Sequence, residues 1–312
     1  MKAVSYTPDM AAMWDALVMK SPTGTFLHRR GYMDYHSDRF ADCSVMVFDD
    51  KDRLIAALPA NADADAVVSH GGLTYGGWLV DSRRAGAAAM LALWDAALAH
   101  YRSLGFSRMI YKAVPDIYHR YPAEDDIYAL FRHGAAIDCV QISATVDLAA
   151  PIGFDSNARR CAAYAAKAGV TVRESCDYRD FWEILTALLA ERYGTAPVHS
   201  LAEIELLRSR FPDNIRFHGA YLGEELVAGT VVYLTDTVAH AQYIAASPAG
   251  KELKALPLLF KNVMERYAER FRYFDFGTSN ERRGLYLNEG LIRQKNGMGG
   301  RGIAYTTYTL NL

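Results

Sequence analysis

The chain has 312 residues, 51% of them hydrophobic and 22% charged, with a net charge of −2 from 34 basic and 36 acidic side chains. That is globular composition with ample apolar material for cores, and the length suits two domains of about 150 residues. The near-neutral balance excludes broad coating of nucleic acid, which needs a basic face to neutralise phosphates.

Cys43, Cys139, Cys161 and Cys176 form no C-x-x-C pair, so neither a zinc site nor a disulfide framework is expected. The first 20 residues have no basic stretch followed by an apolar run, and no uncharged apolar run reaches about 18 residues. The expectation is a cytoplasmic chain with no membrane insertion.

In chain order, the first chemically dense segment is 25–39, which mixes Arg29, Arg30 and His36 with Tyr32 and Tyr35. Arg29 and Arg30 are candidates for holding a phosphate, and a helix from about residue 31 to 40 with a polar face is the plainer alternative. Residues 43–49 and 53–59 read as a hairpin. Gly71, Gly72, Gly76 and Gly77 are too dense for an ordinary strand. They permit close backbone approach to a ligand, with Tyr75 and Trp78 as stacking rings for a sugar or base; a bulged edge strand is the alternative. Ala87, Leu91, Trp94, Leu98 and Tyr101 make one face of a helix over 84–103 that Gly105 ends. Strands follow at 108–113 and 140–147, and Pro151 and Gly153 then break the periodicity. This places a domain boundary near 150, giving domains 1–150 and 151–312.

The second half begins with a helical stripe at Cys161, Tyr164, Ala165 and Ala168, then Phe181, Leu185 and Leu188 up to Gly194. Ser200 and Glu203 form an S-x-x-E capping box, which leaves loop residue His199 as a candidate general base. Strands 215–222 and 225–234 flank a tight turn at Gly223, and a third strand follows at 238–245. Period two places His240 and Tyr243 of that strand on opposite faces. Ser247 to Lys251 precede a helix carrying Leu256, Phe260, Val263, Tyr267 and Phe271, and Gly250 can present its amide to a phosphate there. Strands 273–276 and 303–310 close the chain. Each half runs helix, hairpin, long helix, short strand, an α/β organisation with mixed sheets.

Asp275, between Phe274 and Phe276, is a candidate to take a proton from an attacking amine or to orient a base. Lys295, just before Asn296 to Gly300, suits stabilisation of a tetrahedral oxyanion. No G-x-S-x-G elbow, P-loop or H-E-x-x-H spacing occurs.

The run Tyr273-Phe274-Asp275-Phe276-Gly277-Thr278-Ser279, then Leu287-Asn288-Glu289-Gly290-Leu291, Gln294-Lys295 and Gly299-Gly300, resembles the FemABX family. These are tandem-GNAT transferases that build peptidoglycan cross-bridges. The segment 72–77 is similar to one in their shorter relatives, GNAT acetyltransferases of envelope-sugar pathways. The resemblance implies two tandem GNAT-like domains, with the last strand returning to the first domain. It implies an N-acyltransferase acting on an amine of an amino sugar or cell-envelope precursor. Lys295 is then placed at the acyl-transfer centre, with Tyr243 facing it. Asp275 and His199 join it as catalytic candidates. Tyr75, Trp78, Ser279, Asn280, Glu281, Asn288 and Arg29 become substrate-binding candidates, and Ser247, Gly250 and Lys251 the donor-binding turn. The family's long coiled-coil arm for tRNA has no heptad counterpart here, so acyl-CoA is the expected co-substrate ahead of aminoacyl-tRNA. A non-catalytic binding module for a sugar-phosphate or a protein partner is the alternative.

Overall fold

A computed structural model describes residues 1–81, 83, 84 and 86–312. The chain forms two compact units: Met1–Gln141 with Ala304–Leu312, and Ile142–Ile303.

The first unit contains, in chain order, β1 (Lys2–Ser5), α1 (Ala11–Lys20), α2 (Arg30–Met33), β2 (Val45–Phe48), β3 (Leu54–Leu58), β4 (Asn61–Asp63), β5 (Ala66–Val68), β6 (Leu79–Val80), α3 (Ala87–Ser103), β7 (Arg108–Lys112) and α4 (Asp125–Arg132). The chain enters the second unit within β8 (Ala136–Asp147). There follow α5 (Ser156–Lys167), β9 (Val170–Ser175), α6 (Arg179–Tyr193), α7 (Leu201–Arg210), β10 (Ile215–Leu222), β11 (Glu225–Leu234), β12 (Val238–Ala246), α8 (Pro248–Glu252), α9 (Ala255–Tyr267), β13 (Tyr273–Thr278), β14 (Asn280–Glu281), β15 (Tyr286–Leu287) and α10 (Glu289–Gly297). The last strand, β16 (Arg301–Asn311), carries the chain back, and its residues 307–311 pair antiparallel with β7.

In the first unit β1, β2, β3 and β6 make an antiparallel sheet. Helix α3 covers a core in which Trp94, Tyr101 and Tyr111 are fully buried. The expected helix over 84–103 begins at Ala87, and residue 85 lies outside the described residues. The polar helix expected over 31–40 is instead the four-residue α2 and a single 3-10 turn, Asp34–His36. Arg30, the first residue of α2, is buried. Its Nη2 donates to Asp34 and Asp42, both at 2.5 Å, and its guanidinium lies 3.8 Å over the Tyr6 ring. An arginine so fixed holds no phosphate.

Residues 71–77 form no strand. Their glycines answer close packing inside the unit. A Cβ at Gly72 would stand 2.1 Å from His36 Nε2, and one at Gly76 would stand 1.9 Å from the Ser69 carbonyl oxygen.

In the second unit the strand order is β8-β13-β12-β11-β10-β9. Only β12 and β13 run parallel. Helix α9 packs on one face, with Phe260 against Phe274 and Phe276. Helix α6 packs on the other, where its Trp182 meets Tyr243 of β12. Gly194 ends α6 in the left-handed conformation at φ 63°, where glycine meets no steric penalty. The inward stripe of α5 is Ala158, Ala162 and Ala165, and Tyr164 points to solvent, which corrects the Cys161–Tyr164 face expected from spacing. Phe271 falls beyond the end of α9 but still packs in its core.

The capping box at Ser200 is present in full: its hydroxyl accepts from Glu203 N at 3.2 Å, and Glu203 accepts from Ser200 N at 2.7 Å. Ser200→Ala is expected to lower stability by about 1 kcal/mol. Denaturant unfolding that shows no change would assign the pair no capping role.

Candidate functional site

Strands β12 and β13 pair over only three positions, Val238↔Tyr273 to His240↔Asp275. Beyond them β12 runs on to Ala246 and β13 to Thr278, so the strands part. Gly277, at φ 76°, turns β13 at this point, and the β8–β13 register shifts between Asp275 and Thr278. The turn exposes two carbonyl oxygens, those of Gly277 and Thr278, which would otherwise belong to a ladder.

Lys295 answers them. It lies near the end of α10, a helix that Asn288 starts by accepting from Leu291 N at 3.0 Å. Its Nζ donates to both carbonyls at 2.8 Å, and the residue is only 4% exposed. Burial pushes the ammonium down to about 8, against an opposing pull from the Asp275 charge. Two of its three N–H groups are engaged, which leaves one for a further acceptor.

Asp275 is fully buried on the face of β13 opposite Phe274 and Phe276. Its Oδ1 accepts from Ser143 Oγ at 2.5 Å and Thr145 Oγ1 at 2.7 Å, and its Oδ2 accepts from His240 Nδ1 at 2.7 Å. Burial alone would raise this carboxyl. The His240 hydrogen bond and charge, with the two hydroxyls, outweigh burial and hold it at about 2. A carboxylate so held stays ionised and keeps its donors. Of the two roles expected for Asp275, orienting a base fits this geometry and taking a proton does not.

His199 is buried beside Tyr243. Its Nδ1 and the Tyr243 hydroxyl share a short hydrogen bond, its N–H reaches the same oxygen at 3.3 Å, and its carbonyl accepts from Trp182 Nε1 at 3.1 Å. The expectation that His240 and Tyr243 occupy opposite faces is corrected. The β11–β12 register passes from Val232↔Ala241 to Val231↔Tyr243, so Gln242 is an extra residue in a bulge. A bulge resets the alternation, and both side chains lie on the same face of the sheet. Ser143 and Thr145 are the residues that sequence reasoning missed at this site, and His240 was set aside there in favour of Tyr243. The available signal was the alternation of Ser143 and Thr145 in β8, which aims both hydroxyls at one point.

Ser279 is buried, pairs by its backbone with Ile142 and Asn288, and leaves its hydroxyl without a hydrogen-bond partner. Asn280 accepts from Ile142 N at 2.6 Å, and Glu281 accepts from Asn288 Nδ2 at 3.4 Å. These three residues, with Asn288, fasten the segment that leads into α10. Arg29, in the first unit, has its Nε 3.6 Å from Asp15. Tyr75 and Trp78 are buried in that unit against Tyr118 and Trp94, so neither offers a ring face to a sugar.

The Ser247–Lys251 turn is also corrected. Ser247 Oγ accepts from Gly250 N at 3.1 Å and Ser247 O accepts from Lys251 N at 2.9 Å, so these amides are engaged inside α8. The turn therefore offers no ready cradle for a pyrophosphate. Gly250 is required by packing, since a Cβ would stand 1.9 Å from the Val227 carbonyl oxygen. Gly250→Ala is expected to lower stability by about 1–3 kcal/mol, because backbone must move to admit the methyl. An unchanged denaturation midpoint would refute that reading.

Residues 154–283 match the family model described as an acetyltransferase (GNAT) domain. No curated protein matches the chain. Among solved structures, FemX is 14% identical with a TM-score of 0.71, covering 100% of this chain and 98% of its own. The C-terminal domain of a putative lysylphosphatidylglycerol synthetase from Agrobacterium fabrum is 12% identical with a TM-score of 0.62, covering 96% and 91%. A tandem GNAT protein from the clavulanic acid biosynthesis pathway is 15% identical with a TM-score of 0.54, covering 99% and 98%. At these identities the likeness is one of fold. The chain thus has a tandem GNAT-like fold shared with FemX, and its residues 154–283 match the GNAT acetyltransferase domain model.

Proposed function

We propose that the chain moves an acyl or aminoacyl group from an activated ester or thioester to an amine, and that the second unit carries the chemistry. One observation supports this reading above the others: a buried ammonium, Lys295, sits at the parting of β12 and β13 beside the Asp275–His240 pair. The amine nitrogen attacks the donor carbonyl, and the oxygen that becomes negative takes the remaining N–H of Lys295. His240, oriented by Asp275 through Nδ1, takes the proton from the amine. The carbonyl carbon then releases the donor's oxygen or sulfur, which leaves with that proton. The Ser279 hydroxyl is a buried polar group at the same turn and serves as a further contact to substrate.

The acceptor we propose is the amine of an amino sugar or cell-envelope precursor. The FemABX resemblance of residues 273–300 supports that class. The donor is acyl-CoA or aminoacyl-tRNA. The engaged amides of α8 supply no preformed pyrophosphate contact, and the same observation favours the second reading, a non-catalytic module for a sugar-phosphate or protein partner. A transfer assay separates them. Labelled acetyl-CoA and a labelled aminoacyl-tRNA pool are each supplied with amino sugars and envelope precursors. The account expects label in an amide product from one donor. No product from either donor would leave the binding module standing.

A further inference from the structure

Between α5 and α9 the second unit leaves a cavity of about 520 Å³. Val146 of β8 and Leu148 just beyond it line the hollow, with Leu258 and Met264 of α9. Helix α5 contributes Ala162, Ala163 and Ala166, which have nothing beyond Cβ to fill the space. Ala163 and Ala166 are exposed, so the hollow opens to solvent along α5 and is accessible to a ligand. The volume falls in the range of small-ligand sites, roughly 300–1,000 Å³.

The charged groups at the lining are Arg159, Lys261 and Glu265, all on exposed residues. Arg159 Nη1 rests on the Phe154 carbonyl at 2.5 Å, which holds the guanidinium at the rim. Lys261 Nζ and Glu265 stand 4.0 Å apart, an exposed pair that contributes little. The rim thus carries two cations against one anion over an apolar lining. None of Lys295, Asp275, His240 and His199 lines this cavity. We propose that it binds the chain of a single-chain amphiphile with an anionic head, the head resting on Arg159 and Lys261. Met264 and Met298 supply unbranched, polarisable walls that adapt to such a chain.

Calorimetric titration of the full chain tests this with laurate, lauroyl-lysophosphatidylglycerol and dodecyltrimethylammonium. The expected result is one-to-one binding of the anionic probes, with the cationic probe at least about tenfold weaker. Tighter binding of laurate identifies a free carboxylate as the head, and tighter binding of the lysolipid identifies a phosphate. Ala166→Trp fills the cavity from an exposed position and is expected to weaken the preferred probe by about tenfold or more. Ala163→Phe does the same should the first variant fail to fold. Lys261→Glu is expected to narrow or reverse the preference for anions. Absence of binding by both anionic probes would overturn the proposal. So would equal binding of the cationic probe, or binding unchanged in a folded cavity-filling variant.

Discussion

Lys295→Met is expected to lower kcat for acyl transfer by about 10²–10³, the loss that follows removal of one preorganised oxyanion donor. Methionine keeps the length and apolar stem of lysine but has no N–H to give. KM for the acceptor is expected to change little, because the missing contact forms only as charge develops on the carbonyl oxygen. The Gly277 and Thr278 carbonyls lose their partner in this variant, so some stability is lost as well. Lys295→Arg separates the two effects. It restores charge and donors, and partial recovery of kcat identifies the role as electrostatic. Equal kcat in wild type and a folded Lys295→Met variant would remove Lys295 from the reaction.

Asp275→Ala is expected to lower stability by about 3 kcal/mol, since it strips the acceptor from three buried donors, His240 Nδ1 and the hydroxyls of Ser143 and Thr145. The pH dependence has a definite sign. The folded carboxyl is held at about 2, below the ordinary value near 3.9. Its contribution is therefore complete above about pH 4 and is lost as the pH falls through about 2. Urea titrations between those limits are expected to show wild type losing stability while Asp275→Ala lacks that component. Asp275→Asn is gentler on the fold and harder on the chemistry. Its one amide oxygen, kept by the Ser143 and Thr145 hydroxyls, leaves the amide nitrogen facing His240 Nδ1, and the imidazole then adopts the other tautomer. A fall in kcat of about 10²–10⁴ is expected, the usual contribution of a general base. Parallel slopes in wild type and Asp275→Ala, with full activity in Asp275→Asn, would reduce Asp275 to packing.

The regular elements of this fold were legible where periodicity and end signals agree. Strands β10 and β11 have the bounds that the sequence suggests, because β-branched and aromatic runs stop on either side of Gly223. Helix α6 ends where Gly194 adopts positive φ. Short strands such as β1 and β5 were not legible, since three or four residues carry too little pattern. The site was legible as a list and not as an arrangement. Asp275 and Lys295 were visible as charged residues in an apolar strand and before a glycine turn. The pairing of Asp275 with His240 depends on parallel register between strands more than thirty residues apart, which no local signal encodes. The bulge at Gln242 depends on the partner strand β11, and period-two counting misplaces Tyr243 for that reason. In the first unit, Arg30 and the glycines of 71–77 looked like ligand contacts because their actual neighbours, Asp42, His36 and Ser69, come from other segments.

The most direct measurement of the account is the pH dependence of kcat for acyl transfer above neutrality, in wild type and Lys295→Arg. Burial holds the Lys295 ammonium near 8, and only its protonated form can donate to the oxyanion. The account predicts that wild-type kcat declines as the pH rises through about 8 and that the decline moves to higher pH in the arginine variant. A wild-type rate that keeps rising past pH 9, or a decline left in place by Lys295→Arg, would contradict it.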